Sequence, residues 1–158
     1  MNYLSTELGA SPVLVEGTFA VSAETAFEAW TDPSEIHEWF GPTANCMVRA
    51  EIDLKVGGAW QFIFEETDEK TVMLEGEYLE IVQNKKLVFS WRHAVITGDN
   101  ERVVTESSKV TLRFNEADGN TTITLNHENI TSKDGLLGVG KGWQGTFKNF
   151  NNKFAANN

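Results

Sequence analysis

One cysteine, three prolines and three histidines stand in 158 residues, and each scarcity excludes something. Cys46 alone cannot close an internal disulfide, which fits a reducing compartment and a cytoplasmic protein. Pro12, Pro33 and Pro42 are scattered, so no proline-rich linker divides the chain. His37, His93 and His127 lie outside metal-ligand spacing of one another and of Cys46, so neither a metal site nor a cofactor is expected. Basic residues are also few: 13 Lys and Arg against 23 Asp and Glu leave a net charge of −10. That balance argues against nucleic acid and anionic membrane as partners. No run approaches the ~20 apolar residues of a membrane span. The start, "MNYLSTELGASP", lacks the basic and apolar regions of a secretory signal.

Apolar content, by contrast, is ample. Hydrophobic residues make up 41% and aromatics 11%, with five Trp and ten Phe. A single globular domain follows, large enough to hold a core without staples. Residues 1–12 read as a tail and 13–156 as the domain. Charge is uneven along the chain. Residues 51–80 carry nine carboxylates against Lys55 and Lys70, a net of −7. This acidic face is either a solvated sheet surface or a docking patch for a basic protein partner.

Periodicity orders the elements. Val13, Val15, Gly17, Phe19 and Val21 alternate as a first strand. Ser22 and Asp32 suit N-caps of two abutting short helices, with Pro33 at a first helical position and Glu35 placed for a capping box. Strands follow: Cys46 to Leu54, then Trp60 to Phe64. Thr71 to Ile81 has a phase conflict that a bulge at Gly76 would resolve. Leu87, Phe89, Trp91 and His93 alternate next, before a polar loop from Val95 to Glu101. Val110, Leu112 and Phe114 face Ile123, Leu125 and His127 across the Asp118-Gly119 turn, which sets His127 opposite Val110. A symmetric loop near Thr97 would set His93 opposite Arg102. Finally Trp143, Phe147, Phe150 and Phe154 form one apolar helical stripe.

Just before that stripe, "GLLGVGKGWQG" holds five glycines and imitates two nucleotide motifs. Neither has its context. No second parallel strand follows for a dinucleotide fold, and Gly142 stands where a phosphate loop needs Ser or Thr. The glycines instead read as space left where a helix passes over the sheet or a cavity.

The expected fold class is α+β. A curved antiparallel sheet of about seven strands wraps a long C-terminal helix, and two short helices follow the first strand. "FAVSAETAFEAWTDPSEIHEWFGP", "EIDLKVGGAWQF", "GEYLEI", "KLVFSW" and "GWQGTFKNF" come in order. With them the chain, from about Val13 to Phe154, resembles single-domain bacterial members of the family named for the activator of the heat-shock protein 90 ATPase. That family lies in the START-related (SRPBCC) superfamily. The resemblance implies a helix-grip fold; its shared motifs are fold signals, not catalytic ones, and no catalytic constellation is visible in the sequence.

Function then divides three ways. The first is binding of a small hydrophobic ligand between helix and sheet. The ligand-binding set would be Trp39, Phe62, Phe64, Phe89, Trp91, His127, Trp143 and Phe147, the same residues that plain core packing would use. The gap is expected between Trp39, Phe62, Trp91 and Trp143, with His127 as polar anchor and Trp39-Phe40 near the lid. The second is a protein-interaction module related to the ATPase activators, as monomer or homodimer. The third is a cyclase- or hydratase-like enzyme, for which only His93, His127 and Glu106 are at hand.

Overall fold

The computed structural model describes residues 3–5 and 8–155; the expected domain end at residue 156 falls outside them. Within the stretch read as a tail, Tyr3–Ser5 forms a short strand, β1, that pairs antiparallel with β2 (Val13–Phe19). Next come α1 (Ala23–Thr31) and α2 (Pro33–Trp39). Both caps form. Ser22 Oγ accepts from the Thr25 N–H at 3.1 Å, and the Asp32 carboxylate accepts from the Ser34 N–H at 2.9 Å. Those bonds with Ser34 hold the Asp32 carboxyl below its usual range. The capping box does not close: the Asp32 N–H donates to the Glu28 carbonyl, and Glu35 stands 3.9 Å from Lys153.

The remaining strands are β3 (Arg49–Ile52), β4 (Ala59–Glu66), β5 (Lys70–Val82), β6 (Lys86–Thr97), β7 (Arg102–Val104), β8 (Ser108–Ala117) and β9 (Asn120–Glu128). The chain then enters α3 (Lys133–Ala155). The sheet is antiparallel throughout, in the order β1-β2-β9-β8-β6-β5-β4-β3, with β7 paired to the far part of β6. The two strands beyond the expected seven, β1 and β7, are three-residue pieces. This is the helix-grip α+β fold: the sheet curves around α3, and the short helices close one end.

Aromatic stacking fills the middle of the grip. Trp143, Phe147, Phe150 and Phe154 are all buried on the face of α3 toward the sheet. Phe150 meets Phe19 at 4.7 Å and Trp39 at 4.8 Å between ring centroids. Burial of each such side chain contributes about 1.5–3 kcal/mol relative to exposure. The Asp118-Gly119 turn sets His127 opposite Val110, as its position implies.

Three local readings are corrected. The strand expected over Cys46 to Leu54 shrinks to Arg49–Ile52. Among the described residues β3 pairs only with β4, to which the Val48 and Asp53 N–H groups still donate at its two ends, and the Val48 and Leu54 side chains are exposed. His93 does not face Arg102. The hairpin turn lies further along, so Arg102 pairs with Ile96 while the His93 carbonyl accepts from the Thr105 N–H. The bulge that resolves the phase of β5 sits between Tyr78 and Glu80, not at Gly76. Val72, Leu74 and Tyr78 face α3 before it, and Ile81 after it.

Gly76 has a different task. It pairs with Trp60, whose indole reaches across β5 to donate to the Ser90 carbonyl at 3.2 Å. A Cβ at position 76 would overlap that carbonyl and lie 2.7 Å from Trp60 Nε1. Gly76→Ala is expected to destabilise by about 1–3 kcal/mol, the range for overpacking. A urea midpoint equal to that of the wild type would show that the indole does not cross there.

Candidate functional site

At the end of the grip opposite the Asp118-Gly119 turn, the aromatic filling stops. Two features of the sequence cause this. The first turns of α3 present Gly135, Gly138 and Gly142 to the sheet, and a Cβ added at Gly138 or Gly142 would meet nothing within 4 Å. The helix begins before these glycines, not after them. Ser132 starts it, accepting from the Gly135 N–H at 2.9 Å, and Leu136, Val139 and Trp143 hold it by packing on the core. Packing thus offsets a propensity cost of up to ~1 kcal/mol for each glycine.

The second feature is a bulge in β4 between Ile63 and Glu65. Phe64, inward by its alternation with Trp60 and Phe62, stands at that bulge and lines the same end. A cavity of about 670 Å³ results. Its walls are Phe64, Val72, Leu74 and Trp91 from the sheet, Val139, Gly142, Trp143 and Thr146 from α3, and Phe40, Gly41, Pro42 and Cys46 from the loop after α2. That loop is tied to the helix. Asn149 Nδ2–H donates to the Gly41 carbonyl at 2.9 Å, and Gly41 has a φ of 121°, which glycine accommodates readily.

Polar groups gather at two levels. At the mouth stand His93, Thr105, Glu106 and Thr131, and the Thr131 hydroxyl donates to Glu106 at 3.0 Å. Deeper in, Ser108 begins β8 beside Trp91 of β6. Its Oγ lies 2.7 Å from His127 Nε2, and Trp143 Nε1–H donates to His127 Nδ1 at 3.0 Å. His127 is wholly buried, and burial lowers its pKa to about 3.

Of the residues read from the sequence, Phe64, Trp91 and Trp143 line this cavity. Trp39, Phe62, Phe89 and Phe147 are packed in the core away from it. Between Trp39, Phe62, Trp91 and Trp143 the space is occupied, chiefly by Phe40, whose ring lies 4.9 Å from Phe62 and 5.7 Å from Trp143. His127 stands behind Ser108 and does not reach the cavity surface. Ser108 was not read from the sequence, although it shares the inward phase of Val110 and Leu112. Phe40 was expected near the lid and Cys46 at the start of a strand, and the loop that brings them here with Pro42 carried no local signal. Among the described residues no cluster of His, Cys, Asp and Glu has the form of a metal site.

The family comparison agrees with the architecture. Residues 20–155 match the family described as activator of Hsp90 ATPase homolog 1-like protein. The chain belongs to this family. Solved structures with the same fold include a protein of Rhodobacter sphaeroides, at TM-score 0.73 and 17% identity over 98% of this chain and 99% of that one. Ms6760 of Mycobacterium smegmatis superposes at TM-score 0.71 and 20% identity, covering 98% and 100%. CalU16 of Micromonospora echinospora does so at 0.65 and 21%, covering 95% and 84%. At such identities the likeness establishes the fold alone. No curated protein matches the sequence. Membership in the activator-homolog family therefore supports a fold used for hydrophobic ligands or protein contacts.

The acidic stretch becomes a paired surface in this fold. Arg49 bonds Glu51 and Glu66 at 2.7 and 2.9 Å. Arg92 bonds Glu75 at 3.1 Å and Glu77 at 2.9 Å, and Arg102 also pairs with Glu75. The contact with Arg92, then that with Ser90, holds the Glu77 carboxyl below its usual range. Among the described residues no helix is long and apolar enough to cross a membrane.

Proposed function

We propose that this protein binds a small hydrophobic ligand in the cavity between the first half of α3 and the β4–β6 wall. The open space before Gly138 and Gly142 carries this reading. Elsewhere along α3, the side toward the sheet bears bulky aromatics that touch it. Here the helix withholds side chains, and the gap of about 670 Å³ falls in the range of small-molecule sites, about 300–1,000 Å³. Its surface is mainly apolar, with a few polar groups that would orient a ligand. An interaction role at the acidic face has less support, because Arg49, Arg92 and Arg102 occupy several of the carboxylates a basic partner would need.

Gly142→Leu tests the reading. The new side chain enters the cavity without meeting an atom at its Cβ, and leucine favours the helix by up to ~1 kcal/mol over glycine. The wild type is expected to bind a hydrophobic fluorescent probe saturably, with quenching of tryptophan emission. Gly142→Leu is expected to keep its circular dichroism and lose that binding. Equal binding by both proteins would remove the cavity as the site.

A further inference from the structure

The bonds around His127 fix the direction of a hydrogen-bond chain that ends at the cavity. An indole N–H can only donate, so Trp143 Nε1–H at 3.0 Å makes His127 Nδ1 the acceptor. The single proton of the neutral ring is then on Nε2. There it faces Ser108 Oγ at 2.7 Å and is donated to it. Ser108 therefore receives a hydrogen bond from behind and keeps its own O–H to give. Among the described residues that proton has one acceptor, the Trp91 carbonyl at 3.3 Å, which is long for a hydroxyl donor. Ser108 lines the cavity while only 8% exposed. Its hydroxyl is thus a largely desolvated donor, whereas the other deeply buried hydroxyl of the lining, that of Thr146, already gives its proton to the Gly142 carbonyl at 2.8 Å. Among the described residues the lining has no lysine or arginine, and its ionisable groups are His93, Glu106 and Cys46.

We infer that Ser108 is the polar anchor of the cavity, and that its hydroxyl selects an uncharged apolar ligand bearing one oxygen acceptor, such as a ketone, ester or ether. An anionic ligand is disfavoured. A carboxylate or sulfonate brought to this depth would lose its water and find one hydroxyl with a proton to give, no Lys or Arg among the described lining residues, and the Glu106 carboxylate at the mouth. The orienting role of His127 is indirect: it holds the Ser108 oxygen so that the donor faces the ligand. This specificity rests on the cavity being a ligand site, and the test separates the two statements.

Prodan, a neutral naphthyl ketone whose emission shifts to longer wavelength when its carbonyl accepts a hydrogen bond, is titrated beside the anionic anilinonaphthalene sulfonate. The ketone is expected to bind wild type at least about tenfold more tightly. Ser108→Ala is expected to weaken the ketone about three- to tenfold, the value of one neutral hydrogen bond, and to move bound emission to shorter wavelength. Ser108→Thr, which keeps the hydroxyl, restores both. Ketone binding that Gly142→Leu abolishes but Ser108→Ala leaves unchanged overturns the anchor while the cavity reading stands. So does a sulfonate that binds as tightly at the same site. Failure of both probes to bind wild type overturns the cavity reading and the anchor with it. Nitrogen NMR of the unmutated protein gives a check that needs no variant: His127 must carry its proton on Nε2, and a proton on Nδ1 overturns the chain.

Discussion

Trp143→Ala is expected to destabilise the fold by about 3–5 kcal/mol, the range for truncating a buried aromatic. Trp143 is 2% exposed and sits where three parts of the grip meet. Its ring lies 5.1 Å from Trp91 on the sheet and 6.1 Å from Trp30 on α1. Its indole N–H also satisfies the wholly buried Nδ1 of His127. Trp143→Phe separates these contributions. Most of the packing remains, but the buried acceptor loses its donor, at a cost of about 1–3 kcal/mol. Urea unfolding followed by circular dichroism measures both. If Trp143→Ala leaves the midpoint unmoved, α3 does not lie on the sheet as described. If Trp143→Phe equals wild type, the indole bond contributes nothing.

Acid should undo the same cluster. His127 is an ordinary base near pH 6.5 when unfolded, and burial lowers its folded pKa to about 3. Between these values the unfolded chain binds a proton that the folded chain refuses, so protons favour unfolding. The stabilising difference is fully present above pH 6.5 and is lost as pH falls toward 3. At about 1.4 kcal/mol for each pH unit, the full loss is on the order of 5 kcal/mol. Carboxylates add their own acid dependence, so the informative quantity is the stability of wild type minus that of His127→Gln, followed by urea unfolding from pH 7 to pH 4. The difference is expected to shrink steadily as pH falls. A flat difference would mean that the folded ring takes up its proton as readily as the unfolded one.

Some of this arrangement was open to reading along the chain, because its causes are local. The spacing of Trp143, Phe147, Phe150 and Phe154 is a property of one helix. The alternation of Val110, Leu112 and Phe114 with exposed neighbours is a property of one strand. A two-residue Asp118-Gly119 turn has little freedom, so it set the register that places His127 opposite Val110. Ser22 and Asp32 cap their helices because the groups they bond are two or three residues away.

Other features depend on residues far apart in sequence meeting at particular heights. All the inward aromatics share a phase, yet only Phe64, Trp91 and Trp143 of the predicted set reach the cavity. The deciding residue in the centre was Phe40, which swings in from the loop after α2 and fills the expected gap. At the other end the five glycines of "GLLGVGKGWQG" were read as withheld bulk, and only the depth of α3 against the sheet showed which of them face open space. The acidic run looked unpaired in the sequence because its partners, Arg92 and Arg102, lie on neighbouring strands. The sequence by itself determined the main strands and helices, most of their inward faces and the helix-grip order, since periodicity and helix N-capping are short-range. The tertiary structure alone decided where the packing fails to close and which hydroxyl stands at that opening. Both depend on the curvature of the sheet and the placement of one loop, which no local pattern encodes.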